Sequence, residues 1–119
     1  MAWSFTSDTP IFLQAAHVLK LRILTGTYPP GGAMPSVREL AQEAAVNPNT
    51  MQKALSLLEQ QGLLTTQRTA GRRVTEDGGR LSDLRRSMAR EYIQRCRAQL
   101  AELGYTPAEA AALMKEEEP

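Results

Sequence analysis

Apolar residues recur every three or four positions in three segments of the first 62 residues, which predicts three amphipathic helices. The first helix follows Pro10 and stops at Gly26, the second covers residues 37–44, and the third begins after Asn47 and stops at Gly62. The apolar positions are Ile11, Phe12, Ala15, Ala16, Val18, Leu19, Ile23 and Leu24 in the first helix, Val37, Leu40, Ala41 and Ala44 in the second, and Met51, Ala54, Leu55 and Leu58 in the third.

Capping sequences mark where the second and third helices begin. Ser36 and Glu39 have the spacing at which each side chain bonds the backbone N–H of the other residue. Asn47 and Pro48 supply an N-cap and a first helical residue, so a break of three residues separates the two helices. The Pro- and Gly-rich residues 26–35 predict a loop without regular structure.

Beyond Gly62 the pattern changes to that of a short β-hairpin. Residues 63–68 read as a strand, 69–71 as a turn and 72–75 as the return strand. Helix, loop, short helix, tight turn, helix and hairpin is the order of a winged helix-turn-helix, in which the second of two steeply crossed helices enters the DNA major groove.

After a polar hinge, a helical period returns over about 23 residues, ends at Gly104 and is followed by a short last helix from Thr106. The apolar stripe of the long helix consists of Leu81, Leu84, Met88, Tyr92, Cys96, Leu100 and Leu103. The predicted fold is therefore mainly α with a small β-hairpin: a winged helix-turn-helix over 1–77 and a two-helix region over 78–119.

The third helix has a polar face opposite its apolar stripe, formed by Asn49, Gln52, Lys53 and Ser56. Amide side chains of this size can read base edges, and the lysine can meet a phosphate. A merely solvated face is the alternative, although such a face more often carries Glu–Lys pairs. Behind it, the hairpin places Arg68, Arg72 and Arg73 around a glycine, as a DNA-contacting wing or as a solvated basic hairpin.

Charge supports a polyanionic partner for the first region. The net charge of +1 conceals an excess of seven basic over three acidic side chains in residues 10–75, while residues 76–119 hold seven basic and nine acidic ones. The charge of residues 10–75 is suited to binding nucleic acid, whereas that of residues 76–119 indicates a different role for the second region.

The motifs of residues 9–75 make the chain resemble the GntR family of bacterial repressors. The resemblance rests on Thr-Pro-Ile-Phe-x-Gln from Thr9, Ile-Leu-x-Gly-x-Tyr-x-Pro-Gly from Ile23, Met-Pro-Ser-x-Arg-Glu-Leu-Ala from Met34 and Ala-Leu-x-x-Leu-Glu-x-x-Gly-Leu from Ala54. It implies operator contacts by Arg38, by the start of the third helix and by Gly71. The candidate DNA-binding residues are Ser36, Arg38, Asn49, Thr50, Gln52, Lys53, Arg68, Gly71, Arg72 and Arg73.

Two details are specific to this chain. Its Asn-Pro-Asn-Thr-x-Gln sequence from Asn47 resembles the YtrA subfamily, whose members have short two-helix C-terminal domains. The wing usually reads Gly-x-Gly-Thr-Phe-Val in the family, whereas here it runs Thr-Ala-Gly-Arg-Arg-Val from Thr69, so that Arg73 replaces a packed phenylalanine and is interpreted as a phosphate contact.

The seven-residue apolar stripe of the long helix predicts a homodimer interface, because about 40 C-terminal residues offer little else to cover it. The alternative is that this helix folds back onto its own winged domain. Two helices within one chain are also too few to enclose a large effector pocket. An effector bound at the dimer interface stays open, as does the use of the winged domain as a protein-interaction module.

The composition narrows the remaining classes of function. The chain has one histidine, His17, and one cysteine, Cys96, so we expect no metal site, no intramolecular disulfide and no cofactor. Cys96 is interpreted as a packed thiol in the stripe, with a redox sensor as the alternative. The lack of a nucleophile–base set argues against an enzyme. With no long apolar run and no signal sequence at the N-terminus, we expect a cytoplasmic protein with no membrane contact.

Overall fold

The computed structural model describes residues 3–119 and contains five helices and one two-stranded sheet within them. Met1 and Ala2 of the predicted domain 1–77 lie outside the described residues. The elements follow the predicted order, which confirms a mainly helical fold with a small hairpin. They are α1 (Ile11–Leu24), α2 (Val37–Ala44), α3 (Pro48–Gln60), β1 (Leu64–Gln67), β2 (Gly71–Val74), α4 (Gly78–Glu102) and α5 (Pro107–Glu116).

The core of the winged part forms where α1 and α2 pack on α3. Its largest fully buried side chains come from all three helices and from the strand region, as the apolar period predicts. They are Leu19, Leu40, Met51, Leu55, Leu58, Leu63 and Val74.

The turn between α2 and α3 is tight because each of its residues has a defined role. Ala45 adopts the left-handed conformation at φ 56° and its N–H donates to the Gln42 carbonyl oxygen, which ends α2. The Asn47 side chain then accepts a bond of 2.8 Å from the Asn49 N–H, and Pro48 begins α3. The predicted three-residue break and the Asn-Pro start are confirmed.

The hairpin differs by one residue from the sequence prediction. Leu64 pairs with Val74 and Gln67 with Gly71, so the turn consists of residues 68–70 and Gly71 opens the second strand. Gly71 has φ 71°, a conformation that the sequence pattern assigned to the turn itself.

The expectation that residues 26–35 lack regular structure is wrong at the end of this loop. Ala33 forms an isolated antiparallel bridge with Arg73, the Met34 N–H donates to the Arg72 carbonyl oxygen at 2.9 Å, and the Val74 N–H donates to the Gly32 carbonyl oxygen at 2.9 Å. The loop thus gives β2 a short second pairing partner in addition to β1. Glycine and proline signals report local conformation and do not reveal such tertiary pairing.

The described chain divides into two compact units, the first ending at Leu81 and the second spanning Ser82–Pro119. Leu81, in the first turn of α4, is 7% exposed and belongs to the first unit. Next to it, Arg80 donates to the Gln61 carbonyl oxygen at 2.6 Å, at the end of α3. The winged unit therefore extends four residues beyond the predicted boundary at 77.

The second unit consists of the rest of α4 and of α5. Gly104 follows α4 with φ 91°, and Thr106 and Glu109 form a complete capping box at the start of α5. Several large apolar side chains of this unit are exposed in the single chain, namely Tyr92, Ile93, Leu103, Tyr105 and Met114. Cys96 is exposed as well.

Candidate nucleic-acid interface

Helix α3 has one completely buried face and one exposed polar face. Met51, Ala54, Leu55 and Leu58 are each 0% exposed, which fixes the rotation of the helix in the unit. The opposite face presents Asn49, Gln52 and Lys53 to solvent, with Thr50 and Ser56 half-buried beside them. The packing of α3 on the core therefore leaves exposed the polar side chains that the sequence pattern predicts to read bases.

The start of α2 adds a second candidate contact. The capping box is complete: the Glu39 N–H donates to Ser36 Oγ at 3.1 Å, and the Ser36 N–H donates to Glu39 Oε1 at 3.3 Å. Ser36 and Arg38 are both exposed, and Arg38 is the second residue of the helix. The hydroxyl of Ser36 keeps its own hydrogen for an external acceptor such as a phosphate oxygen.

The three wing arginines have different surroundings. Arg68 is exposed in the turn between the strands. Arg72 is ion-paired with Glu59 of α3, and its side chain is 17% exposed. Arg73 lies on the other face of the hairpin, where it donates to the Gly31 carbonyl oxygen and to Gln67 Oε1, each at 3.1 Å.

Glu59 receives two hydrogen bonds, from the Thr66 hydroxyl and from Arg72. Burial acts to raise the pKa of its carboxyl, but the bonds from Thr66 and Arg72 and the charge of Arg72 outweigh burial and hold that pKa below the ordinary range. The carboxylate is therefore ionised at neutral pH, and the charge of Arg72 is compensated inside the protein.

An aromatic and charged cluster behind α2 was not predicted from the sequence. Arg22 is 8% exposed, donates to the Tyr28 hydroxyl at 2.8 Å and to Glu43 Oε1 at 2.7 Å, and lies 4.8 Å from the ring centroid of Trp3. It joins α1 to α2 and to the N-terminal segment. In the sequence it counted only as one of seven basic side chains, and the motif tyrosine Tyr28 was the one available signal.

The electrostatics of this cluster favour both charged forms. The hydrogen bond with Glu43 raises the pKa of Arg22, more than burial lowers it. The same bond holds the pKa of Glu43 below its ordinary range. Arg22 and Arg72 pair with Glu43 and Glu59, two of the three acidic side chains of residues 10–75, so the excess of positive charge in this region is the same as in the sequence count and falls on side chains outside these two pairs.

Residues 3–119 contain neither a metal-binding cluster of side chains nor a membrane-spanning helix. No group of three or more His, Cys, Asp or Glu side chains in this range is placed to hold a metal ion. Within the same range, none of the helices combines the length and apolar character needed to cross a membrane.

A buried helical core, a tight helix-turn-helix and a basic hairpin define a winged helix-turn-helix DNA-binding protein. The chain belongs to the bacterial regulatory proteins of the gntR family, whose model matches residues 12–74. It is 36% identical to the transcriptional regulator YhcF of Bacillus subtilis over 105 residues, which cover 88% of this chain and 87% of YhcF. This membership confirms a transcription regulator rather than an enzyme.

Similarity to a YtrA-type regulator confirms the subfamily resemblance. The transcriptional repressor YtrA of Bacillus subtilis is 42% identical over 71 residues, or 60% of this chain and 55% of YtrA. A GntR family regulator from Listeria monocytogenes superimposes over 96% of this chain and 100% of its own, with a TM-score of 0.88 and 34% identity. AraR(DBD) in complex with operator ORX1 superimposes over 60% of this chain and 93% of its own, with a TM-score of 0.57 and 27% identity.

Proposed function

We propose that this chain is a cytoplasmic repressor that binds a two-fold operator as a homodimer. The winged unit would supply one half-site contact per chain, and the second unit would hold two chains together. The single observation that carries the proposal is the polarity of α3, which is buried on one side and presents Asn49, Gln52 and Lys53 on the other. We call α3 the recognition helix and residues 64–74 the wing.

The DNA contacts we propose divide into two kinds. Asn49 and Gln52 carry amides that can pair with adenine N6 and N7 in the major groove. We assign Ser36, Arg38, Thr50 and Lys53 to phosphates, and phosphate contacts set the register on the duplex and carry much of the affinity. The wing adds Arg68, Gly71, Arg72 and Arg73 as candidate contacts, and the operator complex of the similar AraR(DBD) supports this use of the fold.

The dimer proposal rests on the exposed apolar surface of the second unit. Tyr92 of α4 is 46% exposed and Leu103, which directly follows α4, is 75% exposed, although both belong to the predicted apolar stripe. Leu84, Met88 and Leu100 of the same stripe are half-buried. Soluble monomers seldom leave such a stripe in water, and a second copy would cover it while presenting two recognition helices to one duplex.

Repression is the direction of regulation that we infer from the relative YtrA, which is a transcriptional repressor. A gel-shift assay with the DNA upstream of the chain's own gene distinguishes this function from that of a protein-interaction module. We expect a shifted complex that unrelated competitor DNA does not abolish. Equal competition by unrelated and upstream DNA would contradict the proposal.

A further inference from the structure

One carboxylate of the recognition helix bonds both strands of the wing. Glu59 Oε2 accepts from the Thr66 hydroxyl at 2.6 Å, and Glu59 Oε1 accepts from Arg72 Nε. Thr66 and Arg72 stand directly opposite each other in the hairpin register. A single side chain of the helix is therefore bonded to the wing at the same level on both of its strands.

The position of this carboxylate needs an explanation, because two general effects oppose it. Glu59 lies in the last turn of α3, where the partial negative charge of the helix end disfavours an acid. It is also the one acidic residue of a helix proposed to approach phosphates. Its side chain is 29% exposed and that of Arg72 is 17% exposed, so the pair is partly shielded from solvent and strengthened accordingly.

We propose that Glu59 is a positioning residue for DNA binding: it anchors the wing to the recognition helix through Thr66 and Arg72, and Arg68 then provides the wing's phosphate contact. Arg72 acts inside the protein in this arrangement, whereas Arg68 lies exposed in the turn at residues 68–70. The inference rests on the proposed DNA binding and deepens it, because it assigns different roles to two wing arginines that the sequence treats alike.

The variant Glu59→Gln distinguishes anchoring from simple electrostatics by the sign of its effect. Removal of a negative charge near DNA by itself strengthens binding, and it would also release Arg72 toward phosphate. Anchoring predicts the opposite: the full-length protein with Glu59→Gln should bind its operator roughly three- to tenfold more weakly. Arg72→Gln should weaken binding by a similar factor, since it removes the other member of the same pair.

Matched controls separate the anchor from a general loss of charge. Glu76→Gln removes an exposed acid just after β2 and should leave operator affinity unchanged or slightly higher. The double variant Glu59→Gln with Arg72→Gln should be no weaker than either single variant, because the two side chains act as one unit. Arg68→Gln should reduce the slope of log affinity against log salt by about 0.9 for each phosphate that is no longer neutralised.

A measurement without DNA keeps this inference separate from the proposed function. Hydrogen exchange of the free full-length protein should show faster exchange at the Thr65 and Arg73 amides, which face each other between the two strands, in Glu59→Gln and in Arg72→Gln, with the Leu19 amide in α1 unchanged. If the wild type shows no operator binding, the proposed function fails, and the exchange rates still test the anchor. Tighter operator binding by Glu59→Gln, or unchanged exchange in the wing of both variants, would overturn the inference.

Discussion

Arg38 and Gln52 illustrate how far individual residues can be assigned from the sequence. Their positions, at the start of one helix and on the polar face of the next, predict exposed side chains, and both are exposed in the structure. The role of Arg22 is not predictable in this way, since its burial depends on Glu43 and Tyr28, which are distant in sequence or in a loop. Local pattern predicts exposure well, whereas a buried ion pair is a tertiary property.

Arg38→Ala should weaken operator binding by more than about 1 kcal/mol without loss of the fold, because it would remove the phosphate contact proposed at the start of α2. Titration of labelled operator measures the affinity, and thermal unfolding checks the fold. Arg86→Ala, an exposed cation of the second unit, is the matched control for the loss of one charge. Equal affinities of the Arg38 variant and the wild type would remove Arg38 from the interface.

Gln52→Ala should relax the preference for A·T at one position of each half-site by about 1–3 kcal/mol, since the variant cannot make a bidentate contact to adenine. Gln60→Ala, an exposed amide at the end of the same helix, should leave the base preference unaltered. Affinities for operators substituted one base pair at a time give the comparison. An identical preference profile for Gln52→Ala and the wild type would show that Gln52 reads no base.

Glu43 should contribute to stability in a pH-dependent way through its bond to Arg22. Its pKa is lowered in the folded protein, so its contribution is present above the pKa of the unfolded chain and is lost as pH falls through the folded value. The difference in unfolding free energy between wild type and Glu43→Gln should therefore shrink below about pH 4.3. Urea unfolding at several pH values measures it, and a difference constant from about pH 7 to about pH 3 would contradict it.

At the scale of elements, the helices followed directly from period and capping, while the hairpin and its neighbouring loop did not. Positive φ at Gly71 suits a turn as well as the first residue of a strand, so the boundary is ambiguous in sequence. The pairing of Ala33 with Arg73 joins residues far apart in the chain and leaves no local signal. Sequence patterns describe an element's own conformation better than its partners.

Two glycines that follow helices provide a prediction at this scale. Gly26 and Gly62 have φ 87° and 77°, and a Cβ at Gly26 meets nothing within 4 Å, whereas one at Gly62 would lie 2.6 Å from the Arg80 guanidinium. Gly26→Ala should cost roughly 1–2 kcal/mol of unfolding free energy from backbone strain alone. Gly62→Ala should cost more, because Arg80 must also leave the Gln61 carbonyl oxygen. If urea unfolding gives the same loss of unfolding free energy for both variants, the displacement of Arg80 has no energetic cost.

At the scale of the whole molecule, the sequence indicated two regions, and the structure has two units whose division falls after Leu81. The predicted boundary followed the polar hinge of residues 76–79, yet the first turn of α4 is part of the winged unit through Arg80 and Leu81. Composition predicted a polar hinge over residues 76–79, but α4 already begins at Gly78, and packing decides where the unit ends. The dimer stripe is the feature for which the sequence and the exposed side chains support the same proposal.

A fragment of residues 1–81 should be a folded monomer that binds operator far more weakly than the full chain, because the second half-site is no longer held at high effective concentration. A fragment of residues 1–77 should be less stable than 1–81 by about 1.5–3 kcal/mol, the value of burying one leucine. Light scattering and urea unfolding of both fragments provide the measurements. A fragment 1–81 that dimerises would place the interface in the winged unit.

The measurement that tests the central claim most directly is selection of bound sequences from random double-stranded DNA by the full chain. A homodimer with one recognition helix per half-site predicts an enriched two-fold symmetric motif with A·T pairs in each half and half-site centres about 10 base pairs apart, or a multiple of that distance. Enrichment of a single unrepeated half-site would contradict the dimer, and the absence of any enriched motif would contradict operator binding itself.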